Sequence, residues 1–162
     1  MSRQLEISRR GLEMPESPIR KLAPLSYEAE GMGIKIYRLN IGQPDLPTPQ
    51  KALDVLKNVD RTTLEYSPSQ GYLSLRKALV NYYERYQIKL TPDEIIITAG
   101  GSEAVLFAFM SCLNPGDEII VSEPAYANYM SFAISAGAVI RTVTTTIEEG
   151  FCLPKVEKFE EL

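Results

Sequence analysis

The chain has 162 residues and a net charge of −4, and 44% of its residues are hydrophobic while 23% are charged. These proportions are those of a soluble globular protein, and the length suffices for one domain with a sizeable core. The basic residues are scattered and no apolar run approaches a membrane span, so we expect no nucleic-acid partner and no membrane insertion. The absence of histidine excludes His-dependent triads and His metal sites, and two cysteines do not make a disulfide framework. Because the first 18 residues lack the apolar segment of a secretory signal, we predict a cytoplasmic location.

The first third of the chain predicts an irregular arm, two helices and a rigid loop. Residues 1–17 are polar and predict a mobile arm without regular structure. Pro18–Gly31 has helical apolar spacing that Pro24 interrupts. Three prolines in six residues make the stretch GQPDLPTP, which starts at Gly42, an extended loop. Thr48 is the predicted N-cap of the next helix, and the proline after it is the predicted first residue of that helix.

The tyrosines of the following segment divide into two kinds. After Gly71, tyrosines and leucines recur at helical spacing up to Tyr86, and we interpret them as a helix face packed on the domain. Tyr66 lies before that helix in an irregular segment, where no periodicity explains an aromatic side chain.

The stretch from Asp93 to Leu113 predicts the element around which the chain is organised. Ile95–Ile97 is a short β-branched run typical of a strand buried on both faces, and a Gly-Gly turn ends it. From Ser102 onward the sequence is apolar around nearly the whole helical circumference, which predicts a buried helix. Free N–H groups at the start of such a helix bind phosphate, and the Ser102 hydroxyl adds a donor. The alternative is that the two glycines serve packing alone.

Strands and helices then alternate to the end of the chain. A turn at Asn114–Asp117 precedes a strand at Glu118–Val121, and a loop carrying Tyr126 follows. We expect a helix at Asn128–Ala136, a strand within Ala138–Thr146 and a last helix after Pro154. This order predicts an α/β fold, a mostly parallel sheet with helices on both faces. Ligands of such sheets gather at the carboxyl ends of the strands, where the loops at Gly100 and Tyr126 both lie.

Four motifs in sequence order resemble one enzyme family. They are GQPD at Gly42, Y-x-x-x-x-G-x-x-x-L-R from Tyr66, TAGGSEA from Thr98 and NPGDEIIVSEPAY from Asn114. Together they are similar to the class I/II pyridoxal-phosphate-dependent aminotransferases, which have the aspartate aminotransferase fold (fold type I). The resemblance covers roughly residues 18–162 and only the N-terminal portion of that family. It implies an N-terminal arm and part of the small domain in residues 1–45, and the first part of the cofactor-binding large domain in residues 46–162.

The resemblance also implies a cofactor, pyridoxal 5'-phosphate, and residues that hold it. The positions matching Gly101 and Ser102, with Glu103 beside them, form the phosphate cradle of the family. The aromatic residue matching Tyr126 stacks on the pyridine ring. The tyrosine matching Tyr66 crosses a dimer interface to the cofactor phosphate of the partner subunit, which predicts a homodimer.

The substrates implied are an amino acid and a 2-oxo acid, exchanged through an amino-group transfer of ping-pong type. The glycine matching Gly42 lies beside the substrate carboxylate, where a side chain would obstruct binding. The lysine that forms a Schiff base with the cofactor would lie beyond Leu162, and none of the eight lysines present has a suitable context. We therefore predict that this chain is an incomplete piece that does not transaminate by itself. The alternatives are a lyase or decarboxylase of the same fold, a ligand-sensing domain of a transcription regulator, and a non-catalytic remnant that binds a phosphate ligand or a full-length partner.

Overall fold

The computed structural model describes residues 6–162 and has the α/β composition that the sequence predicts. Its helices are α1 (Arg9–Glu13), α2 (Ala23–Gly31), α3 (Gln50–Lys57), α4 (Leu73–Glu84), α5 (Gly101–Cys112), α6 (Asn128–Ala136) and α7 (Val156–Glu160). Its strands are β1 (Glu118–Glu123) and β2 (Val139–Thr144), and short 3-10 turns occupy Arg20–Leu22 and Pro92–Glu94. Among the described residues, no helix is both long enough and apolar enough to cross a membrane.

The chain forms two compact units. The first comprises the described residues up to Asn40 together with Gly100–Leu162, and the second is Ile41–Ala99. The domain division expected from the sequence, at residues 45 and 46, stays a prediction.

The first unit is built on a parallel pair of strands. β1 and β2 are paired in parallel from Glu118 opposite Val139 to Glu123 opposite Thr144, and α6 connects them. Gly137 ends α6 in the left-handed conformation, with φ of 79°, which lets the chain reverse into β2. Ala133, on α6, is fully buried, so the crossover helix contributes the small side chain that lets it pack closely. The parallel sheet predicted from the alternation of elements is confirmed.

Side-chain contacts hold both ends of this strand pair. At the carboxyl end, the carbonyl of Glu123 accepts the backbone N–H of Thr145 at 2.7 Å and its hydroxyl at 2.8 Å. At the opposite end, Arg141 Nε donates to the Glu118 carboxylate at 2.8 Å, and this hydrogen bond with its charge attraction raises the pKa of Arg141. Thr145 is buried, so its two bonds fix the point at which the chain leaves β1.

Helix α5 packs against α6 but is not buried. None of its residues is buried, and Phe107 and Met110 are exposed. The prediction of a buried helix is therefore wrong for the described residues. A helix that is apolar all round needs cover on several sides, and here its main packing neighbour is α6.

In the second unit, the strand predicted before α5 is absent from the described residues. Ile95 is buried and extended, with φ of −119° and ψ of 126°, but Ile95–Ile97 does not form a strand. Ile96 is 63% exposed, so the run is not covered on both faces. The backbone N–H of Ile97 donates to the carbonyl of Gln70 at 3.0 Å, and Gln70 lies in an irregular segment and not in a neighbouring strand.

Two residues of the Y-x-x-x-x-G-x-x-x-L-R motif have structural roles in this unit. Gly71 has φ of +87°, and a Cβ added there would lie 2.5 Å from the Cβ of Ile97. Arg76 is buried on α4, and its Nη1 donates to the carbonyl of Pro92 at 2.6 Å and to the exposed carboxylate of Asp93 at 3.3 Å. Glycine and arginine therefore hold the chain before Gly100 against α4.

Several local boundaries differ from the prediction. The described part of the predicted irregular arm contains α1, whose first turn is capped by the Ser8 hydroxyl, which accepts the N–H of Gly11 at 3.1 Å. Residues 1–5 of that arm lie outside the described residues. Pro24 stands in the first turn of α2, where a missing N–H costs nothing, and so begins the helix instead of interrupting it. Helix α3 begins at Gln50 after Pro49, and Thr48 is not its cap.

The tyrosine face of α4 is also less buried than predicted. Tyr82 and Tyr86 are exposed, and the two rings pack on each other with centroids 5.3 Å apart. The helix predicted from the spacing is confirmed, since α4 starts directly after Tyr72, but part of its tyrosine face is exposed.

Substitution of Gly71 by alanine tests the close approach to Ile97. We expect Gly71→Ala to lower the free energy of unfolding by about 1–2 kcal/mol for the left-handed backbone and by about 1–3 kcal/mol more for the clash. Gly33→Ala is the matched control, because Gly33 has φ of +79° and nothing within 4 Å of an added Cβ. Chemical denaturation of the variants measures the difference, and equal losses at both positions would contradict the packing role.

Candidate active site

A cavity in the first unit brings together the start of α5 and one face of α6. It has a volume of about 330 Å³, at the lower end of the range of small-molecule sites. We call it the α5–α6 cavity, and it is lined by Gly101, Ser102, Val105, Tyr126, Tyr129 and Phe132. Three of the residues predicted to bind a cofactor therefore meet in one place.

The α5 part of the cavity wall is the start of the helix, with Gly101 and Ser102. Gly100 precedes the helix in extended conformation, with φ of 174° and ψ of 176°, and caps it with no side chain. Among the described residues, nothing lies within 4 Å of a Cβ added at Gly100 or at Gly101. Neither backbone angles nor packing requires a glycine at Gly101, so this residue leaves space beside the backbone at the start of the helix. The positive end of a helix dipole and the N–H groups of a first helical turn suit a phosphate group.

Tyr126 also lines the cavity, and contacts hold it at several points. Its hydroxyl oxygen accepts a hydrogen bond from Asn128 Nδ2 at 2.9 Å. Its ring lies edge-on to Tyr129, with centroids 5.6 Å apart and an angle of 87°. Its carbonyl accepts the backbone N–H of Tyr129 at 3.0 Å. Tyr126 is nevertheless 48% exposed, so part of its surface remains available to a ligand.

The other three predicted site residues do not line this cavity. Glu103 lies in the first turn of α5 and is half-buried, but it is not one of the lining residues. Gly42 and Tyr66 belong to the second unit, in irregular and exposed segments. The roles predicted for all six residues stay predictions.

Sequence reasoning missed four residues of this region: Val105, Asn128, Tyr129 and Phe132. The sequence predicts a helix that contains Tyr129 and gives that residue no role, although its spacing of three residues from Tyr126 permits the turn in which its N–H donates to the Tyr126 carbonyl. The sequence predicts Asn128 only as the start of a helix, and no pattern indicates that its amide donates to a tyrosine hydroxyl.

Comparison with known proteins indicates the same family as the four sequence motifs. The family profile described as "Aminotransferase class I and II" matches residues 34–161. The chain is 33% identical over 147 residues to an aspartate/prephenate aminotransferase from Thermus thermophilus, covering 90% of this chain and 38% of that protein.

Two solved structures resemble the chain closely. An aspartate aminotransferase from Thermotoga maritima has a TM-score of 0.87 at 31% identity, covering 96% of this chain and 42% of the other. An alanine aminotransferase from Pyrococcus furiosus also has a TM-score of 0.87, at 32% identity, covering 96% of this chain and 40% of the other. The aspartate aminotransferase fold is thus confirmed. The chain spans about two fifths of the length of the curated relatives it matches.

Substitution of Gly101 by alanine tests the accessible backbone at the start of α5. We expect Gly101→Ala to weaken binding of pyridoxal phosphate about tenfold, or about 1.4 kcal/mol, because a methyl group stands beside the backbone donors. The fold should not suffer, since alanine is a better helix former than glycine. Gly31→Ala is the control, because Gly31 is also helical and also has open space around an added Cβ. Equal cofactor affinity in the wild type and Gly101→Ala would remove Gly101 from the site.

Proposed function

We propose that the whole protein moves an amino group between an amino acid and a 2-oxo acid, because this chain belongs to the class I and II aminotransferases. The single observation that carries the proposal is the α5–α6 cavity, where Gly101, Ser102 and Tyr126 meet. Pyridoxal phosphate, when bound, would supply the electron sink that amino-acid chemistry requires.

The residues at the cavity suit the two ends of that cofactor. The start of α5 and the Ser102 hydroxyl offer hydrogen-bond donors and the positive end of a helix dipole to a phosphate group. Tyr126, which lines the same cavity, offers an aromatic surface to a flat ring. The lining residues carry no charged side chain. Phosphate binding there would therefore depend on backbone and hydroxyl donors.

The same residues do not provide a base for proton transfer. All eight lysines are exposed and none lines the α5–α6 cavity. We propose that the lysine which moves the substrate proton belongs to the part of the family's fold that this chain does not match. The described residues would then bind and orient the cofactor without performing the transfer, and the chain alone would be inactive.

The proposal extends to the substrate and to a second subunit through residues of the second unit. Gly42 lies in an exposed loop, and nothing among the described residues is within 4 Å of an added Cβ, so it leaves room for a substrate carboxylate. Tyr66 is fully exposed, which suits a side chain that completes the site of a twofold partner. A homodimer in the cytoplasm accordingly remains our proposal.

Amino-group transfer is tested on the protein purified from its source cells. With pyridoxal phosphate added, we expect an L-amino acid and a 2-oxo acid to be converted into the corresponding 2-oxo acid and amino acid in equal amounts. Chromatography of both products measures this balance. Release of ammonia or carbon dioxide in place of a new amino acid would indicate a lyase or a decarboxylase and would contradict amino-group transfer.

Replacement of Tyr66 by phenylalanine tests its proposed reach to a phosphate. We expect Tyr66→Phe in the whole protein to weaken cofactor binding by about 1.5–3 kcal/mol, the contribution of one charge-assisted hydrogen bond. Tyr86→Phe is the control, because Tyr86 is an exposed tyrosine whose ring packs on Tyr82 within its own helix. Unchanged cofactor affinity in Tyr66→Phe would remove Tyr66 from the site.

A further inference from the structure

A side-chain hydrogen bond links the loop between β1 and α6 to the first residue of α6. Asn128 is the first residue of α6, and its side-chain amide turns back to the hydroxyl oxygen of Tyr126, with Nδ2 and Oη 2.9 Å apart. The phenol oxygen is the acceptor in this bond, so its own hydrogen remains available to another partner. The Asn128 amide therefore fixes the tip of the ring without consuming its donor.

The position of this ring matters because two cavities meet at it. Tyr126 and Tyr129 line the α5–α6 cavity on one side. They also line a second cavity of about 330 Å³, which we call the strand-side cavity. Its other lining residues are Val121, Glu123, Pro124, Ala125, Ala127, Met130, Ile140 and Thr142. The tyrosine pair is thus the wall between two spaces.

A half-exposed aromatic residue in a loop has several rotamers open to it unless contacts select one. For Tyr126, the strand-side cavity offers open space beside the ring, and its lining includes the apolar side chains of Val121, Met130 and Ile140. Edge-on contact with Tyr129 restrains the ring but leaves its tip unbound. The bond from Asn128 holds the tip, and a rotation that broke it would remove a hydrogen-bond partner from both groups.

We infer that Asn128 is a positioning residue that holds the Tyr126 ring at the wall of the α5–α6 cavity and keeps it out of the strand-side cavity. The inference rests on the proposed function, in which Tyr126 faces the ring of pyridoxal phosphate. When the Tyr126 ring is already ordered, binding does not include the free-energy cost of ordering it. Loss of the hydrogen bond from Asn128 therefore lowers the affinity for the ligand.

A double-mutant cycle on the 162-residue chain tests the inference. Asn128→Ala removes the donor, Tyr126→Phe removes the acceptor, and the pair of substitutions removes both. We expect each single variant to weaken binding of pyridoxal phosphate roughly threefold to tenfold, the loss expected for one hydrogen bond. The double variant should be no weaker than the weaker single variant, because both changes remove the same bond. If the effect of Asn128→Ala is as large in the Tyr126→Phe background as in the wild type, Asn128 does not act through Tyr126 and the inference falls.

A second readout is independent of the cofactor. The aromatic NMR signals of Tyr126 in the ligand-free chain should move in Asn128→Ala, because the ring loses its fixed orientation. Asn58→Ala is the matched control, since the Asn58 amide donates to the carbonyl of Asp54 at the end of α3, at 2.8 Å. That variant should change neither the Tyr126 signals nor the affinity.

The two readouts separate failure of this inference from failure of the proposed function. Unmoved Tyr126 signals in Asn128→Ala overturn the positioning role, whatever the cofactor does. A wild-type chain that binds no pyridoxal phosphate would count against the proposed cofactor site, while the NMR comparison would still decide whether Asn128 positions the ring. Thermal unfolding of each variant shows whether it is folded under the conditions used.

Discussion

The parallel pairing of β1 with β2 is the constraint on which the candidate site depends. Parallel neighbours need a crossover, and here the crossover is α6. The chain must leave β1 at Glu123 and begin α6 at Asn128, so the loop with Tyr126 lies at the carboxyl end of the strand pair. Because α5 packs on α6, the start of α5 is brought to the same place. One pairing thus places both walls of the α5–α6 cavity.

The described chain has a small core for its length. Its buried apolar residues are Ile95, Ala133, Ala138 and Val143, and no large side chain among the described residues is fully buried. A domain of this size usually buries a larger share of its apolar surface. Exposed apolar surface such as that of α5 is typical of a face that another part of a fold or a partner covers.

The glycines of the motifs serve two different physical purposes. At Gly71 the left-handed backbone and the contact with Ile97 leave no room for a side chain, so that glycine is required by the fold itself. At Gly101 the space is open, so the fold would accept a side chain there. A glycine that the fold does not need is the better indicator of a ligand, because close approach to the backbone is what it permits. The motif alone does not separate these purposes.

Local sequence determined much of this protein. The spacing of apolar residues and the turn residues Asn114–Asp117 and Gly137 placed β1, α6 and β2 nearly as the structure has them, since these signals act over a few residues. The order of the motifs indicated the family for the same reason, because each motif is a continuous segment.

Tertiary structure decided those features that depend on residues distant in the sequence or on side-chain direction: strand pairing, burial and side-chain hydrogen bonds. The Ile95–Ile97 run has the composition of a strand but does not form one, because a strand requires a paired partner as well as its own propensity. Burial of α5 could not be read from its composition, since burial depends on what packs against it. The hydrogen bond from Asn128 to Tyr126 is a matter of side-chain direction, which local sequence patterns do not encode and which only the folded chain sets.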